Sequence, residues 1–228
     1  MGVHDGHRQR LKERFRQQGL DGFNEVNALE LLLFYCIPRK DVNPLAHELL
    51  DYFGSFTKVM EATPDELKNV PGVSQETATF LALVLSAGRY YQVKKLQPGA
   101  VMKTTEDCAA YMKPYFFGRS NETIFLLSLD AKCKVIGCSM LGEGSATIAN
   151  VPVSRVVSVA VTLKASSVVL AHNHPSGVAI PSSSDEAYTM DLAEGMKAVD
   201  IRLSDHIIFA DEEYVSMAQS QKTRQIFL

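Results

Sequence analysis

From Gly6 to about Tyr91, apolar residues recur at the three-to-four-residue interval of a helix face, and β-branched alternation is scarce. HRQRLKERFRQQGL reads as one helix closed by Gly19, and NEVNALELLLFYCI as a second ended by Pro38. NPLAHELLDYF makes a third, stopped by Gly54, and SFTKVMEA a short fourth. In TPDEL, Thr63 supplies a side-chain cap and Pro64 takes the first helical position, where a missing N–H leaves no bond unmade. ELKNVPGVSQETATFLALVLSAGRYY then predicts helix, tight turn, helix. Pro71 and Gly72 break the first of these, and Ser74 can cap the second. The first half is therefore expected to be all helical.

The pattern changes after QVKKLQPGAVMKTT, where Pro98 and Gly99 in a charged stretch mark a linker. Thr105 to Phe117 is amphipathic and helical, whereas TIFLLSLD and KVIGCSML are short β-rich runs joined by AKC, a hairpin signal. VSRVVSVAVTLKA fits strand or helix by composition, but its length and its place between two strands favour a crossover helix. SSVVLAHNH reads as a strand buried on both faces, SSDEAYTMDLAEGMKAV as a helix capped by Ser183 or Ser184, and IRLSDHIIFA as a further strand. Strands alternating with helices predict an α/β domain built on a mixed sheet. The expected division is a small all-α domain over residues 1–98 and the α/β domain over residues 103–228.

Composition narrows the picture. At 228 residues and 46% hydrophobic, the chain can fill one large core or two modest ones, which argues against disorder as its main theme. No apolar run approaches the roughly 18 residues of a membrane span, and Met1 to Gln18 is basic and polar, so no membrane association and a cytoplasmic location are expected. Cys36, Cys108, Cys133 and Cys138 form no C-x-x-C pair and read as reduced core thiols. The net charge of −3 excludes a strongly basic coat, yet Arg8, Arg10, Lys12, Arg14 and Arg16 face only Glu13 between His7 and Arg16. A local cationic face is the expectation.

The candidate chemistry lies in AHNHPSGVAIPSSSD. Side chains alternate along a strand, so His172 and His174 point to one side with Asn173 opposite, and two imidazoles can reach one ion. Pro175 and Gly177 end the strand, and Asp185 falls in the first turn of the next helix, which can bring its carboxylate back to the strand end. Two imidazoles and a carboxylate leave a fourth tetrahedral position for water, the mark of a catalytic rather than a structural zinc site. An ordinary first-turn carboxylate facing the helix dipole is a role Asp185 can fill at the same time.

HNHPSGVAIPSSSD resembles the metal motif of the JAB/MPN (JAMM) metallopeptidases, H-x-H-P-x6-S-x2-D, with His172, His174, Pro175, Ser182 and Asp185 all in register. GHRQRLKERF, LLFYCIPRKD, FGSF and LSDHIIFA resemble the bacterial RadC family, and this similarity covers nearly the whole chain. The resemblance implies a C-terminal JAB/MPN-like, cytidine-deaminase-like α/β domain preceded by a helix-hairpin-helix-like domain. It also implies a zinc ion on His172, His174 and Asp185, and hydrolysis of a peptide or isopeptide-like amide. The family's general base, which acts on water activated by the ion, maps onto Glu122 in NETIFLLSLD, with Glu143 as competitor. Ser182 matches the family serine that stabilises a developing oxyanion; helix capping is its other reading. The likeness departs in VPVSRVVSV, where no acidic residue follows the arginine. Asp205 and His206 occupy adjacent strand positions facing opposite sides, so both cannot approach the ion; one of them can support a ligand from behind, and a satisfied core or edge pair is the favoured expectation.

For the helical half, the resemblance implies phosphate contacts by backbone N–H groups at a tight glycine turn. LKNVPGVSQETA keeps Gly72 there and has Ser74 in place of a second glycine, so a packing hairpin and a DNA contact are both open. Arg8, Arg10, Arg14, Arg39 and Lys40 are the cationic candidates, with a solvated helix face and a loop as their other reading. The competing function is thus a DNA-associated repair or recombination accessory with the metal domain as scaffold. The peptide or amide substrate and the oligomeric state are left open.

Overall fold

A computed structural model describes residues 3–144 and 150–228. The chain forms two compact units, residues 1–88 and 89–228, which divide inside a helix rather than in the linker stretch. Among the described residues the first unit contains helices only: α1 (Val3–Gln18), α2 (Glu25–Cys36), α3 (Asn43–Phe53), α4 (Phe56–Glu61), α5 (Pro64–Leu67) and most of α6 (Gln75–Lys94). Their ends follow the local chemistry. Asn24 accepts from the Asn27 N–H at the start of α2, Gly54 turns left-handed to close α3, and Thr63 and Glu66 cap α5 reciprocally. Leu29, Leu33, Ala46, Leu49, Val59, Leu67 and Leu81 form the buried centre of this unit.

Two of the cationic candidates are engaged within this unit. Arg8 donates to the carbonyls of Phe34, Ile37 and Lys40 at 2.9–3.1 Å and lies over the Phe34 ring, closing the C-terminal end of α2. Arg14 donates to the Gly22 carbonyl and covers the Phe23 ring. Arg10, Arg39 and Lys40 are exposed. Gly72 adopts φ +90° in the turn before α6, a conformation that costs glycine nothing, and Ser74 caps the helix by accepting from the Thr77 N–H at 3.2 Å.

In the second unit, α7 (Thr105–Phe116) is followed by the hairpin β1 (Thr123–Leu129) and β2 (Val135–Glu143), then α8 (Val153–Thr162), β3 (Ser167–Asn173), α9 (Ser183–Lys197), β4 (Arg202–Ala210) and β5 (Glu213–Ser216). The sheet runs β2-β1-β3-β4-β5; only β3 and β4 pair in parallel, so it is mixed, as the alternation of elements implies. The last short strand, β5, was not expected from the sequence. The helix after the metal motif is capped by Ser182, one residue before the expected Ser183 or Ser184. Part of the linker stretch joins this unit: Met102 donates to the Cys133 carbonyl and Val135 to the Ala100 carbonyl.

Strand alternation divides the apolar residues between two faces of the sheet. Ile124, Leu126, Val168 and Leu170 pack with Val156, Ala160, Leu192 and Met196 of α8 and α9. Phe125, Leu127, Val169 and Ala171 pack on the other face with Cys108, Met112 and Phe116 of α7. Both faces of β1 and β3 are therefore dry, and polar side chains at the C-terminal end of β3 must find partners or a ligand.

Candidate metal centre

His172 and Asn173 end β3, and His174 begins the loop that follows. His172 lies on the α9 face and is fully buried, while His174 is partly exposed. Asp185 is the third residue of α9 and is buried. Its Oδ2 accepts from the Ser182 backbone N–H at 2.7 Å and the Ser182 hydroxyl at 2.6 Å. Its own N–H donates back to Ser182 Oγ at 3.2 Å, a capping box that fixes the carboxylate over the strand end. Ser182 Oγ also bonds the Ser184 hydroxyl. The one proton of Ser182 is thus directed to Asp185.

The three side chains converge. His172 Nε2 is 2.9 Å from His174 Nε2, and Asp185 lies 3.4 Å from the first and 3.6 Å from the second. The Asp185 contact with His172 ends on Oδ1 and that with His174 on Oδ2, and one ligand atom from each of the three residues lies within 4.8 Å of the others, close enough to share one ion. Donor chemistry agrees. His174 Nδ1 lies 2.9 Å from the Val178 carbonyl, which can only accept, so His174 carries a proton on Nδ1 and presents Nε2 inward. Two imidazole nitrogens 2.9 Å apart beside a carboxylate can sit together only with a proton or a cation among them. The group His172, His174 and Asp185 can hold a metal ion.

Electrostatics follow from burial. Burial holds the His172 imidazole down to about 4, with Asp185 opposing and His174 adding to the effect. His206, fully buried, is pushed well below the ordinary range for the same reason. His174 is raised, chiefly by its contact with Asp185. Burial favours neutral Asp185, but bonds from His174 and Ser182 together with the neighbouring His172 hold the carboxyl below its usual range.

These shifts fix a sign. Below pH 6.5 the unfolded chain protonates His172 and His206 while the folded, metal-free chain resists doing so, so their contribution to stability is present above 6.5 and lost as pH falls toward 4. His174 works the other way, gaining stability on protonation, and two buried imidazoles outweigh one partly exposed one. At about 1.4 kcal/mol per pKa unit, the His172 loss alone is on the order of 3 kcal/mol. Urea unfolding of chelator-treated protein at pH 7 and pH 4.5 measures it; equal midpoints would contradict this assignment.

Glu122 precedes β1 and is partly buried, and its charge raises His174, so the two groups feel one another. Its backbone is clamped. Asn173 Oδ1 accepts from the Thr123 N–H at 2.7 Å, Asn173 Nδ2 donates to the Asn121 carbonyl at 3.1 Å, and the Glu122 carbonyl accepts from Gly144 at 3.0 Å. The residue between the two histidines therefore holds both peptide neighbours of Glu122. The competitor, Glu143, is paired with Arg119 at 2.6 Å at the end of β2.

Of Asp205 and His206, both buried, it is His206 that touches a residue of the metal group. Its Nε2 is 2.8 Å from His172 Nδ1 and its Nδ1 is 2.7 Å from Thr189 Oγ1, within the site. Asp205 does face the other way, accepting from Thr105, Ser216 and the Ala218 N–H. A register shift between Leu203 and Asp205 sets this phase, so that His206 meets α9. Thr189 could have been found from the sequence, since it lies four residues after Asp185 on the same helix face.

The match to known proteins covers the same elements. Residues 102–223 match the model of the RadC-like JAB domain, and that span contains the sheet and every residue of the metal group. The chain belongs to the RadC-like JAB domain family. RadC-like relatives align along nearly the whole chain. One is the UPF0758 protein FN0909 of Fusobacterium nucleatum, 34% identical over 221 residues, with 94% of this chain and 95% of the relative covered. Others are UPF0758 proteins of Polaromonas sp., at 33% identity, and of Nitrosomonas eutropha, at 31%; each alignment covers 92% of this chain and 94% of the relative. The RadC-like assignment agrees with the mixed sheet, the helical N-terminal region and the His-His-Asp group. Among the described residues no helix is long and apolar enough to cross a membrane.

Proposed function

We propose that this RadC-like chain is a zinc-dependent amide hydrolase of peptidase or isopeptidase type. The observation that carries the reading is the convergence of two imidazole nitrogens and a buried carboxylate, with one edge of the group, His174, partly open to solvent. Zinc bound there would act as a Lewis acid on the amide carbonyl and lower the pKa of water toward roughly 7. His172, His174 and Asp185 would hold it, and Ser182 would act through Asp185 rather than as an oxyanion donor. Glu122, fixed beside His174 by Asn173, takes the proton of the attacking water and passes it to the leaving amine. A single-ion ligand set suits amide hydrolysis better than two-metal phosphoryl transfer. The reading carries with it the cytoplasmic location expected from the sequence. Screening a peptide and isopeptide library with and without chelator tests it: cleavage that zinc restores supports the reading, and cleavage indifferent to chelator would overturn it.

The accessory reading, in which the helical unit binds DNA, draws support from the left-handed turn at Gly72 and the exposed Arg10, Arg39 and Lys40. Arg8 and Arg14 are engaged by their own unit, which narrows the cationic surface. If the contact exists, gel-shift affinity should fall steeply between 50 and 200 mM salt, roughly as the counterion-release slope requires, and drop further in Arg10→Ala or Arg39→Ala. Affinity indifferent to both salt and these substitutions would remove this role.

A further inference from the structure

His172, His206, Thr189 and the Asp185 carbonyl form an unbroken hydrogen-bonded chain inside the second unit. Its direction can be read from its far end. The Asp185 carbonyl can only accept, and so can the Met217 thioether, which lies 3.7 Å from Thr189 Oγ1. Thr189 has a single hydroxyl proton, and both of these neighbours ask for it. Once that proton is given away, Thr189 Oγ1 can only accept from His206, so His206 carries its proton on Nδ1 and offers a lone pair at Nε2. His172 Nδ1, 2.8 Å from that lone pair, must then be the protonated nitrogen. Nε2 of His172 is left as a lone pair, and it faces His174 and Asp185.

We infer that His206 and Thr189 are positioning residues that lock His172 in the one neutral tautomer able to bind a metal through Nε2. The inference rests on the metal-centre reading above, but it concerns the metal-free protein. His174 has a proton fixed on Nδ1 by one backbone carbonyl, Val178, whereas the Nδ1 of fully buried His172 meets a side chain, His206. Reversing the chain, with Thr189 donating to His206, would set Thr189 Oγ1 against the Asp185 carbonyl with no proton between the two oxygens and place a proton on His172 Nε2, blocking the ion. His172, His206 and Thr189 are all fully buried, so the three links of the chain are kept away from water and no solvent molecule can substitute for a lost donor.

The test uses the full chain with histidine labelled by nitrogen-15, stripped by chelator. Long-range proton–nitrogen correlation reports which ring nitrogen of each histidine carries the proton, and the expected result is Nδ1–H at both His172 and His206. A proton on Nε2 of His172 in the wild type would overturn the inference without any variant. Thr189→Val keeps the shape but removes the hydroxyl. It is expected to lose the single tautomer and weaken binding of zinc alone by about 10–100-fold, the range seen when an outer partner of a ligand is lost. Thr189→Ser, which restores the hydroxyl, is expected to return both to wild-type values. Unchanged tautomer and affinity in Thr189→Val would contradict the inference. Should Thr189→Val fail to fold, the wild-type and Thr189→Ser spectra decide the question alone. A wild type that binds zinc in the expected tautomer yet hydrolyses nothing would leave this inference standing while removing the hydrolase reading, so the two can fail separately.

Discussion

Glu122→Gln is expected to lower amide hydrolysis by about 10²–10⁴-fold, the usual contribution of a positioned general base, while changing zinc affinity by no more than about twofold. The asymmetry follows from the site. Glu122 is outside the group that converges on one point, so its loss removes a proton acceptor and no ligand. Glutamine preserves length and shape but cannot take a proton at neutral pH. The backbone clamp acts on Asn121 and Thr123, not on the Glu122 side chain, so the variant should keep its loop. Steady-state assays on a substrate from the library screen, with zinc titrated in parallel, separate the two effects. A variant that retains full turnover would transfer the base role elsewhere. Glu143 is a poor recipient, since Arg119 already holds its carboxylate.

Asp185→Ala has the larger expected effect on the ion itself. It removes the carboxylate ligand, so zinc affinity should fall by more than about 100-fold, beyond the range typical of outer partners. The same substitution dissolves the capping box with Ser182, for which about 0.5–2 kcal/mol of stability is at stake. Asp185→Asn distinguishes these consequences. Its amide oxygen can still accept from Ser182, so it should recover most of the stability and little of the affinity. Competition titration with a chromophoric chelator reads the affinity, and urea unfolding reads the stability. Equal zinc binding by wild type and Asp185→Ala would show that this carboxylate is a helix cap and nothing more.

The regular parts of this fold were legible in the sequence because each element carried local punctuation. Gly54 after NPLAHELLDYF, Thr63 before PDEL, and the apolar run of VVLA are signals a few residues long, and the elements they bound formed where expected. The metal group was legible for the same reason. Strand alternation sets His172 and His174 on one side, and a first-turn position brings Asp185 to them. What escaped depends on contacts between distant segments. β5 has only four residues after a turn at Asp211 and forms because β4 offers it an edge. His206 meets His172 because of a register shift, which no pattern in IRLSDHIIFA announces. The engagement of Arg8 with the Phe34, Ile37 and Lys40 carbonyls joins residues 26–32 positions apart, a contact that the charge pattern does not announce.

The account depends on one ion gripped by three side chains. Crystals of the wild-type chain grown with zinc, with diffraction recorded on both sides of the zinc absorption edge, test that directly. The account predicts one anomalous peak per chain, within about 2.0–2.2 Å of His172 Nε2, His174 Nε2 and an Asp185 carboxylate oxygen. A peak bound elsewhere, or none at saturating zinc with the three side chains in place, would contradict it.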